Sequence, residues 1–236
     1  MKIALLGYGK MGKVIEKIAL QRGHEIVLKK NAEDTFEGLE NAVIAIDFSI
    51  PSAAISNISE CINNGIPIVS GTTGWLENYN EMVALCNEKN AAFIYGSNFS
   101  LGVNLFFELN DYLSKIMSQF KQYDVSMEEI HHTQKLDKPS GTAISLANAI
   151  INNTDKNNWS IENPNADDVF IDVKRVDAVP GTHSVFYTSN EDTIEIKHTA
   201  HNREGFAIGA IIAAEWLIGK KGVFTMKDVL ELGVRS

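Results

Sequence analysis

The chain has 236 residues, a formal net charge of −9 and 44% hydrophobic residues. This composition excludes an intrinsically disordered chain, and the negative charge argues against nucleic acid or an anionic membrane as a partner. The apolar runs are shorter than the ~18 residues of a membrane span, and the opening MKIALLGYG lacks the long apolar region of a secretion signal. The two cysteines, Cys61 and Cys86, have no CxxC spacing and indicate neither a disulfide framework nor a zinc site. We therefore predict a globular, cytoplasmic protein.

Short apolar runs alternate with amphipathic stretches over the first hundred residues. The run 2–6 is followed by Gly7-Tyr8-Gly9-Lys10-Met11-Gly12 and then by apolar residues at helical spacing. A glycine turn between a strand and a helix lets the backbone approach a pyrophosphate, which the positive end of the helix attracts. Further strands are predicted at 25–28, 42–48, 66–69 and 91–95, with helices at 53–63 and 76–89. This order predicts an α/β domain of Rossmann type, with a parallel sheet that binds a dinucleotide.

Ligands of such sheets lie beyond the carboxyl ends of the strands. The residues that follow the predicted strands are therefore candidates for cofactor contacts, together with all six residues of the glycine turn. They are Phe48 after the third strand, Gly71, Thr72 and Thr73 after the fourth, and Ser97, Asn98 and Phe99 after the fifth.

The end of the second predicted strand bears on the choice between NADH and NADPH. Many dinucleotide folds carry an acid here that binds the adenosine ribose, whereas this chain has Lys29, Lys30 and Asn31. Two lysines and a neutral amide can accept a 2′-phosphate, so we predict that NADPH is used at least as well as NADH. The alternative is that both lysines are solvated surface residues.

The second half of the chain has a different pattern. It predicts a helix at 104–120, an extended segment at 125–130, a helix at 142–151, a polar exposed loop from 152 to 168, and strands at 169–176, 183–188 and 193–198. This is an α+β domain on a mostly antiparallel or mixed sheet. A last helix at 205–217 is expected to pack back on the first domain. The predicted domains are 1–99 plus 203–236 for dinucleotide binding, and 100–202 for substrate binding and oligomerisation.

The segment EEIHHTQKLDKPSGTA, at 128–143, concentrates chemically active residues. The strand before this segment is expected to end near Ile130. In that case the side chains of His131, His132 and Lys135 can all approach one cavity. Histidine can move a proton there, and lysine can bind or protonate an anion. Ser140, Gly141 and Thr142 begin a helix, where an anion such as a carboxylate is commonly held. The alternative is that Ser140 or Thr142 only caps the helix and that one histidine is structural. Two adjacent histidines alone do not indicate a metal site, and no nucleophile elbow is present.

Several motifs together resemble the dihydrodipicolinate reductase family, also called 4-hydroxy-tetrahydrodipicolinate reductases, of bacterial lysine and diaminopimelate biosynthesis. They are GYGKMG in the glycine turn, DFSIP at 47–51, GTTGW at 71–75, NFSLGVN at 98–104, EEIHHTQKLDKPSGTA, and REGFAIGA at 203–210.

The resemblance implies an NAD(P)H-dependent reduction of a cyclic amino-dicarboxylate to tetrahydrodipicolinate with loss of water. It also implies that His131 and Lys135 are the proton-transferring residues, that His132, Gly141 and Thr142 bind the substrate carboxylates, and that the enzyme is a homotetramer.

This chain departs from the family pattern in two respects. It is shorter than the usual member between the second strand and DFSIP, and Asn31 stands where the ribose-binding acid is expected. Two other functions remain open at this point. A related reductase acting on another small carboxylate should lack the combined HHxxKxDxPSGT pattern, and a non-catalytic NAD(P)H-binding sensor would need no paired proton donors.

Overall fold

The computed structural model of the protein describes residues 1–232. The chain forms two compact units, Met1–Leu101 with the chain from Arg203 onward, and Gly102–Asn202. The elements of the first segment are β1 (Lys2–Leu6), α1 (Lys10–Gln21), β2 (Glu25–Lys30), β3 (Ile44–Asp47), α2 (Pro51–Asn63), β4 (Ile68–Ser70), α3 (Tyr79–Glu88) and β5 (Ala92–Tyr95). Those that follow are α4 (Leu101–Met117), β6 (Asp124–His131), α5 (Gly141–Asn153), β7 (Asn158–Ser160), β8 (Asp168–Arg175), β9 (Gly181–Thr188), β10 (Thr193–Ala200), α6 (Glu204–Leu217), β11 (Gly222–Phe224) and α7 (Met226–Val229).

The first unit is built on a six-stranded parallel sheet in the order β11-β5-β4-β3-β1-β2. Its central strands are buried on both faces, which is why they consist of continuous apolar runs. The predicted α/β fold of Rossmann type is confirmed. The sequence prediction missed β11 and α7. A strand of three residues and a helix of four are both too short to show a period in the sequence.

Helix α6 returns the chain to the first unit. It is apolar on nearly all sides and buries Ala207, Ala210, Ile211, Ala214 and Leu217 in the same core as β1 and β3. Small residues let it approach closely, since a Cβ at Gly209 would lie 1.7 Å from the carbonyl oxygen of Phe99. The helix therefore packs directly on the backbone that follows β5.

The second unit is a five-stranded mixed sheet in the order β10-β9-β6-β8-β7. Helices α4 and α5 contribute to the core on one face of this sheet, with Phe106 and Leu146 packed near Met127 and Ile171. Strand β9 is antiparallel to β6 and β10, whereas β6, β8 and β7 run parallel. The parallel β6–β8 pair follows from α5, because a helix between two strands forms the crossover that parallel pairing requires.

One detail of the second unit differs from the sequence prediction. The segment from 152 to 168, predicted to be an exposed loop, contains the end of α5 and the short strand β7. The strand Asn158–Ser160 was missed because three residues are too few to show an alternating pattern. Half of the strand pairings are parallel, so the sheet is mixed, which is one of the two forms predicted.

Both cysteines are buried thiols without a disulfide bond, Cys61 in α2 and Cys86 in α3. Burial raises the pKa of each thiol. Among residues 1–232, no helix combines the length and apolar character needed to cross a membrane.

Candidate active site

The glycine turn after β1 uses its three glycines in different ways. Gly7 has a φ of +99°, and a Cβ there would lie 2.2 Å from the carbonyl oxygen of Phe48. A Cβ at Gly12 would lie 2.3 Å from the carbonyl oxygen of Gly7, whereas a Cβ at Gly9 would have no heavy atom within 4 Å. Gly7 and Gly12 are thus required by packing, and Gly9 leaves open space at the N-terminus of α1. This is the arrangement in which a pyrophosphate approaches the backbone.

An open cleft of about 420 Å³ lies in the first unit at this turn. It is bordered by the end of β1, the end of β3 and the end of β4, so the parallel sheet brings together three loops that are distant in sequence. Its lining residues are Gly9, Lys10, Met11, Phe48, Ser49, Pro51, Gly71, Thr72 and Thr73. Most of the residues predicted to contact a cofactor therefore share one cleft.

The remaining predicted cofactor residues do not line this cleft. The hydroxyl of Tyr8 donates a hydrogen bond to Glu16. Phe99 is buried, and its ring centroid lies 5.8 Å from that of Phe48. Ser97 and Asn98 follow β5, and the side-chain oxygen of Asn98 accepts a hydrogen bond from the Ser100 amide at 2.9 Å.

Asp47, at the end of β3, holds the loops of the cleft together. It is fully buried and accepts hydrogen bonds from Ser49 Oγ at 2.6 Å, Asn57 Nδ2 at 2.9 Å and Ser70 Oγ at 2.7 Å. The Ser49 amide in turn donates to Thr72 Oγ1 at 2.8 Å. Burial raises the pKa of Asp47, while the hydrogen bonds from these side chains act in the opposite direction. Sequence analysis missed this residue, although an acid ending an apolar strand is a signal for such a role.

We expect Asp47→Ala to lower the free energy of unfolding by about 2–4 kcal/mol, because it leaves several buried donors without an acceptor. Urea unfolding measures this change. Asp167→Ala, at an exposed side chain, is the control and should change stability by less than about 0.5 kcal/mol. An Asp47→Ala protein as stable as the control would show that the network does not support the cleft.

The two lysines at the end of β2 are not equivalent. Lys30 is only 3% exposed, and its ammonium donates to the carbonyl of Asn31 at 3.0 Å and lies 4.5 Å from the ring centroid of Phe36. Lys29 has a side chain that is 42% exposed and pairs with Glu16 at 2.5 Å. The alternative that both lysines are solvated is therefore wrong for Lys30, and Lys29 is the lysine that a ligand can reach.

In the second unit, a buried cluster surrounds His131 at the end of β6. His131 and Glu129 lie on the same buried face of the strand, and His131 Nδ1 is 3.8 Å from Glu129 Oε2. His183, from β9, places Nε2 3.8 Å from the same oxygen, and the two imidazole rings are 5.0 Å apart. Burial lowers the pKa of His131 to about 4 and that of His183 to about 3. Both imidazoles are therefore neutral near pH 7.

Glu129 is the centre of this cluster. It is fully buried, and its Oε1 accepts a hydrogen bond from Arg175 Nη2 at 3.0 Å while its Oε2 accepts one from the Ser140 amide at 2.9 Å. Sequence analysis missed Glu129, Arg175 and His183. The strand alternation gave a signal for Glu129, because it stands two residues before His131, but the other two residues reach the cluster from neighbouring strands.

Ser140 caps helix α5. Its hydroxyl accepts a hydrogen bond from the Ala143 amide at 3.2 Å and lies 3.1 Å from His183 Nε2. Ser140 is buried, so the hydroxyl has an internal role at the start of the helix. Gly141 and Thr142 are the first two residues of α5, where the positive end of the helix favours an anion.

The segment between β6 and α5 places the other predicted site residues. Strand β6 continues to His131, one residue beyond the predicted end, and His132 is the first residue after it. The amide of Lys135 bonds to the carbonyl of His132 at 3.1 Å, which turns the chain back, and Lys135 Nζ pairs with Asp137 at 2.8 Å. Burial lowers the pKa of His131 most, and the charge of Glu129 raises it. The positive charge of Lys135 comes next and lowers it. Lys135 is thus an electrostatic neighbour of the cluster.

The donor atoms of Glu129, His131 and His183 all lie within 4.8 Å of one another, which raises the possibility of a metal site. Both oxygens of Glu129 already accept hydrogen bonds, and the Arg175 guanidinium beside them repels a cation. The geometry therefore favours a hydrogen-bonded network.

A parallel sheet with an open glycine turn, joined in one chain to a unit with buried neutral histidines, defines an oxidoreductase of the nicotinamide-dinucleotide class. Residues 1–99 match the family model described as dihydrodipicolinate reductase, N-terminus, and residues 102–230 match the one described as dihydrodipicolinate reductase, C-terminus. The chain belongs to the dihydrodipicolinate reductase family.

Curated relatives and a solved structure agree with this assignment. A 4-hydroxy-tetrahydrodipicolinate reductase from Christiangramia forsetii is 52% identical over 233 residues, which are 98% of each chain. One from Thermosipho africanus is 35% identical over 98% of each chain. The dipicolinate-bound dihydrodipicolinate reductase from Paenisporosarcina sp. TG-14 superimposes with a TM-score of 0.74 over 95% of this chain and 97% of its own, at 20% identity, and supports the fold. The Christiangramia reductase is nearly the same length as this chain, since the 233 matched residues are 98% of both.

Proposed function

We propose that this protein reduces 4-hydroxy-tetrahydrodipicolinate to tetrahydrodipicolinate, with NAD(P)H as the hydride donor and loss of water, in lysine and diaminopimelate biosynthesis. The observation that carries the proposal is the His131 cluster beside the N-terminus of α5, in a chain that is 52% identical to a named reductase of this substrate. Proton transfer and carboxylate binding are the two functions that such a substrate requires from a protein.

The cofactor is proposed to bind in the first unit. The open space at Gly9 and the N-terminus of α1 fit a pyrophosphate, and α1 has no acidic residue in its first turn to oppose it. Phe48 and the loop 71–73 line the same cleft, and 97–99 follow the next strand. When bound, the reduced nicotinamide supplies the hydride.

The substrate carboxylates are proposed to bind in the second unit. A dianion in a chain of net charge −9 needs local positive groups. Lys135, His132 and the N-terminus of α5 at Gly141 and Thr142 provide them. Ser140 contributes through its cap, which fixes the first turn of the helix.

His131 is proposed to transfer the proton, with Lys135 as the second proton donor. The low pKa of the His131 imidazole, about 4, results first from burial and belongs to the protein without substrate. Two carboxylates bound nearby stabilise the imidazolium and raise that pKa toward neutrality, so substrate binding itself favours the protonated donor.

Turnover of the proposed substrate tests this function. The purified protein is mixed with freshly made synthase product, prepared from pyruvate and aspartate semialdehyde, and the loss of nicotinamide absorbance is followed with NADH and NADPH in parallel. Rapid oxidation that depends on the synthase product is the expected result. Cofactor binding without oxidation would instead favour a reductase of another small carboxylate or a non-catalytic sensor.

Lys29 is proposed to favour NADPH, which is expected to be used at least as well as NADH. Lys29→Ala should lower kcat/KM for NADPH about tenfold relative to NADH, because a charge-assisted bond to the 2′-phosphate is lost. Steady-state kinetics with both cofactors measure the ratio, and Lys89→Ala, at an exposed lysine of the same unit, is the control. An unchanged ratio would remove Lys29 from cofactor selection.

We also propose a homotetrameric, cytoplasmic enzyme. One face of the five-stranded sheet is covered by helices, and on the other face Phe170 and Phe186 flank Ser126 and remain only partly buried. Such a face favours contact with further copies of the chain. Sedimentation of the 26.0 kDa chain as a tetramer is expected, and a monomer at micromolar concentration would contradict it.

A further inference from the structure

We propose that the buried ion pair of Glu129 and Arg175 positions Lys135 and the N-terminus of α5 for the substrate, so that Arg175 is a positioning residue of the reaction. The inference rests on the proposed function, since it assigns Lys135 and the start of α5 to substrate binding. Neither residue of the pair needs to touch the substrate.

Arg175 connects strand β8 to the segment that carries Lys135. It stands opposite His131 in the parallel β6–β8 register, and its side chain is only 10% exposed. Its Nε donates to the carbonyl of Lys135 at 3.3 Å, and its Nη2 donates to the carbonyl of Asp137 at 2.6 Å. The same Nη2 donates to Glu129 Oε1 at 3.0 Å. One guanidinium therefore fixes two backbone positions of the segment against a buried carboxylate.

Glu129 extends this connection to helix α5. While Oε1 accepts from Arg175, Oε2 accepts from the Ser140 amide at 2.9 Å, immediately before the first residue of the helix. The chain from 135 to 140 is thus attached at both ends to a single charge pair. Displacing either partner moves the residues proposed to bind the substrate.

The energetics support a positioning role over a general contribution to stability. Replacing a buried ion pair by apolar residues is often neutral or stabilising, because desolvation of the charges offsets their attraction. What the pair provides is a fixed direction for several hydrogen bonds. Only arginine has a planar fork of donors that reaches the carboxylate and two carbonyls at once, whereas a lysine ammonium keeps the charge and loses this geometry.

Arg175→Lys tests the proposal, because it preserves the charge opposite Glu129. We expect kcat/KM for the dicarboxylate to fall about 10- to 100-fold, with the affinity for NADPH and the thermal midpoint close to the wild-type values. Arg175→Ala should lose more activity, and added guanidinium should partly restore it. A thermal midpoint that stays close to the wild-type value in Arg175→Lys while kcat/KM falls distinguishes positioning from a merely structural role.

Arg22→Lys is the matched control. Arg22 forms a two-pronged pair with Glu215, at 3.0 Å and 2.7 Å, in the other unit. The same substitution there should leave kcat/KM unchanged. If Arg175→Lys also keeps kcat/KM within about twofold of the wild type, the positioning role is overturned.

Two further measurements separate the possible failures. If Arg175→Lys does not fold, Glu129→Gln takes its place, since it retains an acceptor for Arg175 and removes the one for the Ser140 amide. The same fall in kcat/KM is expected, and a value within about twofold of the wild type again overturns the positioning role. If the wild type binds dipicolinate but does not turn over the substrate, the proposed function fails. The positioning role is then judged by whether Arg175→Lys weakens dipicolinate binding at least about tenfold.

Discussion

Replacing His131 with alanine is expected to lower kcat by about 10²- to 10⁴-fold, the usual contribution of a positioned acid or base. His131 lies at the end of β6 in the second unit, whereas the proposed cofactor cleft belongs to the first unit. The affinity for NADPH should therefore remain close to that of the wild type. Steady-state kinetics and a fluorescence titration of the cofactor measure the two quantities.

His198→Ala is the control for the loss of an imidazole from the same sheet. His198 lies on β10 directly opposite His183, one strand farther from Glu129, and its ring centroid is 6.2 Å from that of Phe106. Its loss should change kcat only modestly. A His131→Ala protein with wild-type turnover would exclude His131 from proton transfer, and equal losses in both variants would show that the effect is structural.

Gly7→Ala is expected to destabilise the first unit by about 2–5 kcal/mol. About 1–2 kcal/mol comes from the left-handed backbone conformation and about 1–3 kcal/mol from overpacking, because the new Cβ would lie 2.2 Å from the Phe48 carbonyl oxygen. This is a large fraction of the roughly 5–15 kcal/mol that holds a typical protein folded. Urea unfolding measures the change.

Gly9→Ala is the matched comparison within the same turn. A Cβ at Gly9 meets no heavy atom within 4 Å, and its φ is −85°. Stability should therefore be nearly unchanged, while the affinity for NADPH falls because the methyl group occupies the open side of the cleft. If Gly9→Ala destabilises the protein as much as Gly7→Ala, or leaves cofactor binding intact, the division of roles among the glycines is wrong.

Local patterns predicted most of the first unit. Strands β1, β3, β4 and β5 are apolar runs bounded by turn residues, so their positions follow from burial on both faces of a parallel sheet. The three-residue strands β7 and β11 were missed, because hydrogen bonding to a longer neighbour defines them and their own sequence does not.

The candidate site was predicted in part. Histidines, lysine and glycines within one short motif are visible in the sequence, and His131, Lys135 and Ser140 were identified there. Arg175 and His183 depend on the register of β8 and β9 against β6, which no local pattern reveals. Asp47 and Glu129 are buried acids whose positions in their strands gave a sequence signal, but most of their hydrogen-bond donors come from other segments and became apparent only in three dimensions.

Transfer of a labelled hydride tests the central claim most directly. The protein is supplied with NADPH deuterated at the transferable position of the nicotinamide and with fresh synthase product, and the tetrahydrodipicolinate formed is analysed by mass spectrometry. The account predicts a product that carries one deuterium on the ring, with none when the cofactor is unlabelled. A product without deuterium, or labelled cofactor that remains unoxidised in the presence of substrate, would contradict it.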